Sequence, residues 1–119
     1  MRDTISKFRW ADVSEELMSE EAIRARHSPA HLFRISPRSY AVNLVTLPTI
    51  GVPMVFYVLS GVCRYVEDKS EQIPKPETII AEGEFAEIGP GEYTFEVLSQ
   101  EPVRAISVFR LPAEAVKAS

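Results

Sequence analysis

Few side chains in this chain are suited to chemistry near neutral pH. Two histidines, His27 and His31, and one cysteine, Cys63, are its only imidazole and thiol donors, which caps the soft ligands a metal could find. Pro29 falls between the histidines, so they lack the regular helical turn that an i, i+4 zinc pair needs. Cys63 lies in the apolar run VFYVLSGVCRYV and reads as a buried structural thiol. Ser60 leads into a turn and belongs to no G-x-S-x-G elbow. The GPG at 89–91 opens no helix and has no lysine beside it, so a phosphate cradle is missing too. Tyrosines at 40, 57, 65 and 93 could donate a phenolic proton, although strand tyrosines more often pack.

A chain of 119 residues has room for one domain around a single core. Its 45% hydrophobic and 25% charged content excludes a disordered chain and a disulfide scaffold. The net charge of −4, without any cluster of Lys or Arg, argues against a nucleic-acid surface. The opening MRDTISKFRW has no apolar core of a signal peptide, and Pro48, Gly51 and Pro53 break the longest nearly uncharged stretch. Neither export nor a membrane span is expected. With a lone cysteine, the expected home is a reducing cytoplasm.

The elements that must position any site begin with residues 12–26. Asp12 and Glu15 have capping-box spacing, and Val13, Leu17 and Met18 share a face, which predicts one or two short helical turns stapled to the core by Trp10. HSPAHLFRISPRSY holds Pro29 and Pro37 and reads as irregular. From Ser39 onward, SYAVNLVTL, VFYVLSGVCRYV, ETIIAEGEFAEIG, EYTFEVLSQ and VRAISVFRL predict five or more strands, punctuated by Gly83, GPG and QEP. Residues 67–77 are charged, contain two prolines and read as a solvated loop. The organisation expected is an N-terminal arm and short helix over 1–38, a barrel over 39–112 and a tail over 113–119, all in one domain.

Short strands of this kind need two packed sheets or a closed barrel. Read as one strand, SYAVNLVTL has Ala41, Val45 and Leu47 on one side and Tyr40, Val42 and Leu44 on the other. An exterior that is also apolar predicts a homodimer.

At FYVLSGVCRY and GEFAEIGPGEY the chain resembles the small single-domain cupins. Gly83, five residues and the Gly89-Pro90-Gly91 turn fit the family's second motif, and YVLSG ending at Gly61 fits the end of the first. The resemblance implies an all-β, double-stranded β-helix or jelly-roll barrel with a short N-terminal helix. In metal-binding cupins two histidines, an acidic residue and a third histidine form the cage. Here the histidine pair falls on Leu47 and Thr49, or on Pro48 and Ile50. The acidic position is Met54, the third histidine is Thr94 and a later asparagine position is Leu98. The resemblance therefore implies a barrel without metal or other cofactor, unless His27 and His31 rebuild a site with Glu92, Glu96 or Cys63.

Alternation from those vacated positions points Asn43, Thr49, Met54 and Phe56 inward, with Val58, Thr94, Glu96 and Leu98. Glu96 would then need a partner, for which Arg64 or Arg104 is placed, or it faces solvent and pairs there. Three functions stay open. The first is a small organic ligand bound in the barrel by Asn43, Thr49, Met54, Phe56, Arg64, Thr94, Glu96 and Arg104. The second is an isomerase, cyclase or lyase acting on a carbohydrate or secondary metabolite, with Glu96 and a tyrosine such as Tyr57 as acid and base. The third is an oligomerisation or regulatory module whose barrel is filled by Met54, Phe56, Val58 and Leu98.

Overall fold

The computed structural model describes residues 4–111. Its strands are β1 (Ile5–Arg9), β2 (Phe33–Tyr40), β3 (Val45–Thr46), β4 (Thr49–Ile50), β5 (Met54–Ser60), β6 (Val62–Glu67), β7 (Glu77–Ala81), β8 (Glu84–Ile88), β9 (Gly91–Val97) and β10 (Val103–Arg110). They form two antiparallel sheets. The first has the order β1-β8-β5-β10-β2, and the second β3-β9-β6-β7, with β4 also on β9. From β5 onward most connections carry the chain from one sheet to the other. This is the double-layer jelly-roll arrangement that buries both inner faces against each other.

Alternation selects what lies between the sheets. Met54, Phe56 and Val58 of β5 face Cys63 and Tyr65 of β6 and Tyr93, Phe95 and Val97 of β9 in one core. A second core lies outside the first sheet, where Trp10, Ala22 and Ile23 cover Tyr57, Phe85, Ile106 and Val108. The segment that covers them is a 3-10 turn (Trp10–Asp12) followed by α1 (Glu20–Arg26). α1 starts at Ser19 because the serine side chain accepts the Ala22 N–H at 3.1 Å, and Glu20 and Glu21 suit the positive end of the helix dipole.

Several expectations from the sequence are corrected here. The helix is shorter than residues 12–26, and of the three residues expected on its inner face Val13 and Leu17 are exposed, while Met18 packs on the outer core. Trp10 does act as the anchor, with its indole N–H donating to the Glu16 carbonyl at 2.7 Å. The boundary expected at residue 38 falls inside β2, and β1 also precedes it, so two strands of the first sheet come from the arm. β2 forms despite Pro37 because it lies at a sheet edge, where a missing N–H is tolerated. SYAVNLVTL is not one strand: β2 ends at Tyr40 and the chain turns at Asn43, whose φ of 67° is left-handed, a conformation asparagine tolerates. The tail expected over 113–119 lies outside the described residues. The loop between β6 and β7 spans 68–76, close to expectation.

Gly61 is the corner where the chain leaves β5 in one sheet and enters β6 in the other, rather than turning a hairpin. Its φ is +86°, and a Cβ there would sit 3.0 Å from the Pro102 carbonyl oxygen and the Val103 Cα. Gly61→Ala should therefore lower unfolding free energy by about 2 kcal/mol or more in urea titrations. Gly51→Ala is the control, because a Cβ there meets nothing within 4 Å; it should change stability by less than about 0.5 kcal/mol.

Candidate functional site

The interior of the barrel is the first place to look for a site, and rings occupy it. Phe56 meets Tyr65 at 5.4 Å between centroids and Phe95 at 6.0 Å, Tyr65 meets Phe95 at 5.0 Å, and Tyr40 closes on Phe95 at 4.6 Å. The donors left inside are poor ligands. Burial pushes the Cys63 thiol up to about 12, and it points at the Ile80 carbonyl at 3.6 Å. Burial also holds the Tyr65 phenol well above its ordinary 10. A thiol and phenols kept protonated do not make a metal cage. Among the described residues no group of three or more His, Cys, Asp and Glu could hold a metal ion. The donor set thus does not fit the metal of metal-binding cupins, and His27 and His31 do not join Glu92, Glu96 or Cys63.

Met54, Phe56 and Val58 face inward as expected and belong to this core. The phase expected for β9 is reversed. Tyr93, Phe95 and Val97 point in, leaving Thr94 and Glu96 half-buried on the outer side and Leu98 exposed. The cause is area: the aromatic and branched side chains of β9 remove far more apolar surface from water than Thr94 and Glu96 would. Asn43 and Thr49 are exposed, in the turn after β2 and in β4 respectively. Glu96 does pair with Arg64, but on the outer face of the second sheet, where Arg64 also lies 3.6 Å from Glu77. Arg104 is exposed on β10 in the other sheet, where its pairing with β5 slips in register. Thr94 donates to Asp68 at 2.7 Å. The residues expected to share one pocket are therefore dispersed. Tyr57 sits on the outer face of the first sheet, the barrel's width from Glu96, so the two do not form an acid–base pair.

What the sequence did not reveal is the partner of Tyr57. His27, at the C-cap of α1, places Nε2 at 2.7 Å from the Tyr57 hydroxyl, and its ring stands edge-on to Phe33 at 5.0 Å. Burial, with a smaller opposing effect from Arg26 and an assisting one from Glu87, pushes the Tyr57 phenol up to about 12. Burial, then the nearby Arg26 charge, holds His27 below its ordinary 6.5. Both groups are neutral at pH 7. The contact is a neutral hydrogen bond whose donor follows the histidine tautomer. Beyond His27 the helix has stopped and the outer face of the first sheet is bare. There a cleft of about 350 Å³ opens, floored by Phe33, Val55 and Val108 and edged by His27, Glu87 and Arg110.

With the architecture and these surfaces in view, comparison with solved structures is informative. The chain matches the Cupin_2 domain of an XRE family transcriptional regulator from Enterobacter cloacae over 92% of its own length and 99% of that chain, with TM-score 0.55 and 14% identity. The chain has a cupin-type fold. It also matches the Clostridium difficile EutQ protein (TM-score 0.52, 15% identity, 66% of this chain) and an HTH_3 family transcriptional regulator from Vibrio cholerae (TM-score 0.54, 13% identity, 69% of this chain). It spans 56% and 44% of those two chains, about half their length. No family model and no curated protein sequence matches it. At these identities the likeness concerns the fold. Among the described residues no helix is long and apolar enough to cross a membrane.

The His27–Tyr57 contact ties stability to pH. The unfolded chain binds a proton at the ordinary histidine value of 6.5, whereas the folded chain binds it only at lower pH. This contribution to stability is complete above the unfolded value and is lost as pH falls below it. Urea midpoints should therefore decrease between about pH 7 and pH 5, and the decrease should be smaller in His27→Gln. An unchanged slope in that variant would remove His27 as the source.

Proposed function

We propose that this chain is a metal-free cupin-fold module that works by self-association as a homodimer rather than by chemistry inside its barrel. The proposal follows the third reading of the sequence, and the packing favours it over the other two. A barrel filled by aromatic rings leaves no room for a ligand in its middle, and a pair formed by Glu96 and Tyr57 is split between opposite faces. Duplex binding and membrane insertion play no part in this reading, and an unpaired, buried Cys63 suits a reducing cytoplasm.

The observation that carries it is the contrast between the two outer faces. The first sheet is covered by the arm, whereas among the described residues no helix lies over the second and several of its outer apolar side chains are exposed. Across the second sheet the register aligns Val45 with Glu96, Glu96 with Arg64, and Arg64 with Ile79 in one row. β3 and β4 share the same offset against β9, which sets Leu47 level with Thr94 on that face. Val45 is 57% exposed, Leu47 72%, Ile79 42% and Leu98 39%. Contiguous exposed apolar side chains of this sort mark association surfaces.

The cation in the middle of the face is paired within one chain: Arg64 is held between Glu96 and Glu77, which offsets part of the desolvation cost that opposes such interfaces. A two-fold pairing would set each copy's Val45 and Leu47 against the partner's apolar side chains and keep the ion-paired row at the centre. The other edge of the sheet is guarded, because Lys7 donates to the Ile79 carbonyl at 3.1 Å and blocks strand addition at β7.

Sedimentation equilibrium should give twice the 13.4 kDa chain mass at tens of micromolar protein. The double variant Val45→Glu, Leu47→Glu alters exposed positions only, so it should keep its melting temperature and sediment as a monomer. A single-chain mass for the unmodified protein at about 100 µM would overturn the proposal, since a dimer of biological use forms well below that.

A further inference from the structure

We propose that the cleft beside His27 binds a free α-amino acid with an apolar side chain. The inference goes beyond self-association and does not depend on it, because the cleft lies on the other sheet. It rests on three features of one surface.

The floor is apolar and preformed. Glu87, Val55 and Val108 lie side by side on β8, β5 and β10, and Phe33 of β2 flanks them. Those strands are fixed by the sheet, while α1 ends at Arg26 and leaves this part of the face open. At about 350 Å³ the cleft is at the small end of the range for ligand sites, which suits a compound the size of an amino acid.

The two charges on the rim are unspent. Arg110 has its guanidinium 5.9 Å from the Phe33 ring and lies within ion-pair distance of no carboxylate among the described residues. Glu87 likewise has no cation within that distance among them. Both line the same cleft without pairing to each other. Two strand spacings and two residues separate their backbones, about 12 Å, so the tips of the two side chains can reach toward a common centre with a gap left between them. An α-amino acid fills such a gap with one group of each sign: its carboxylate on Arg110, its ammonium on Glu87 and its side chain on the floor.

The third feature is His27. Its ring lines the cleft and is held by the hydrogen bond between Nε2 and the Tyr57 hydroxyl. A neutral imidazole makes this wall polar without adding a second cation that would oppose the ammonium. Ser6 supplies a hydroxyl at the β1 side of the same cleft.

The test is a titration of the full chain, followed by amide shifts in nuclear magnetic resonance, with three probes: L-phenylalanine, phenylacetate, which lacks the ammonium, and phenethylamine, which lacks the carboxylate. L-phenylalanine should saturate, shift the amides of Ser6, Glu87 and Val108, and bind at least about tenfold tighter than either truncated probe. Arg110→Gln and Glu87→Gln change exposed side chains and should keep the melting temperature. Each should weaken L-phenylalanine by about tenfold, and Glu87→Gln should leave phenylacetate binding unchanged. Equal binding of phenylacetate and L-phenylalanine would overturn the zwitterion in favour of a plain organic acid. Absence of saturation by every probe at about 10 mM would overturn the site. So would amide shifts confined to the second sheet, or binding that appears only after residues 112–119 are removed, which would make the chain's own tail the occupant.

Discussion

The contact between the rings of Phe56, Tyr65 and Phe95 in the middle of the barrel governs most of what this molecule can do. The three rings come from β5, β6 and β9, so they join both sheets. Edge-to-face and tilted contacts between them add to the stabilisation that their burial already supplies. They also set the phase of β9, because Phe95 can enter the core only if Glu96 turns outward. In a barrel with a metal cage, inward positions must carry polar donors whose desolvation is offset by the ion. Here the same volume holds apolar side chains, with Ser107 the buried polar residue among those described and the Tyr40 hydroxyl as its hydrogen-bond partner. The interior therefore contributes stability and holds few polar groups.

Those outer faces are unequal because the N-terminal segment reaches only one of them. Trp10 is drawn onto the first sheet by Tyr57 and Phe85, at 5.9 and 6.4 Å between ring centroids. α1 continues the cover with Ala22 and Ile23, and His27 closes it with a hydrogen bond to the Tyr57 hydroxyl. Each step is local packing, but the sum decides where the surface stays open. One opening is the cleft beyond His27. The other lies on the outer face of the second sheet, where the loop after β6 touches the strands through the Thr94–Asp68 hydrogen bond and Val45, Leu47 and Ile79 stay exposed.

Much of the fold was legible in the sequence, and the failures have identifiable causes. β5 to β10 were readable because branched and aromatic residues alternate between glycine and proline stops, and Gly61, Gly83 and Gly91 all carry the positive φ that such stops demand. β2 was not readable, since Pro37 is a breaker in a central strand and harmless at an edge, and edge position is a property of the assembled sheet. The stretch around Asn43 looked like a strand by composition, whereas a single left-handed residue ended the run. The site fared worse than the fold. For Glu96 the sequence offered Arg64 or Arg104 as partner and left open whether it faces inward or solvent; the structure has it paired with Arg64 on the outer side, so the inward phase that grouped it with Thr94 and Leu98 was off by one residue. His27 and Tyr57 are thirty positions apart; nothing in the spacing of either signals the other, and only the docking of α1 brings them together.

His27 lies outside the barrel strands, at the C-cap of α1. On the inward face it would need a metal or a second hydrogen bond to justify burial, and the ring cluster offers neither. At the C-cap of a short helix it hydrogen-bonds a buried phenol with one nitrogen, and its ring lines the cleft. Its backbone N–H meanwhile donates to the Arg24 carbonyl at 3.1 Å, which fixes the ring where the helix ends. Arg26, one residue earlier, lies over the Phe85 ring at 5.0 Å and keeps positive charge near the imidazole, which favours the neutral form. The same short segment therefore closes the outer core, holds its last side chain on Tyr57 and borders the cleft on this sheet.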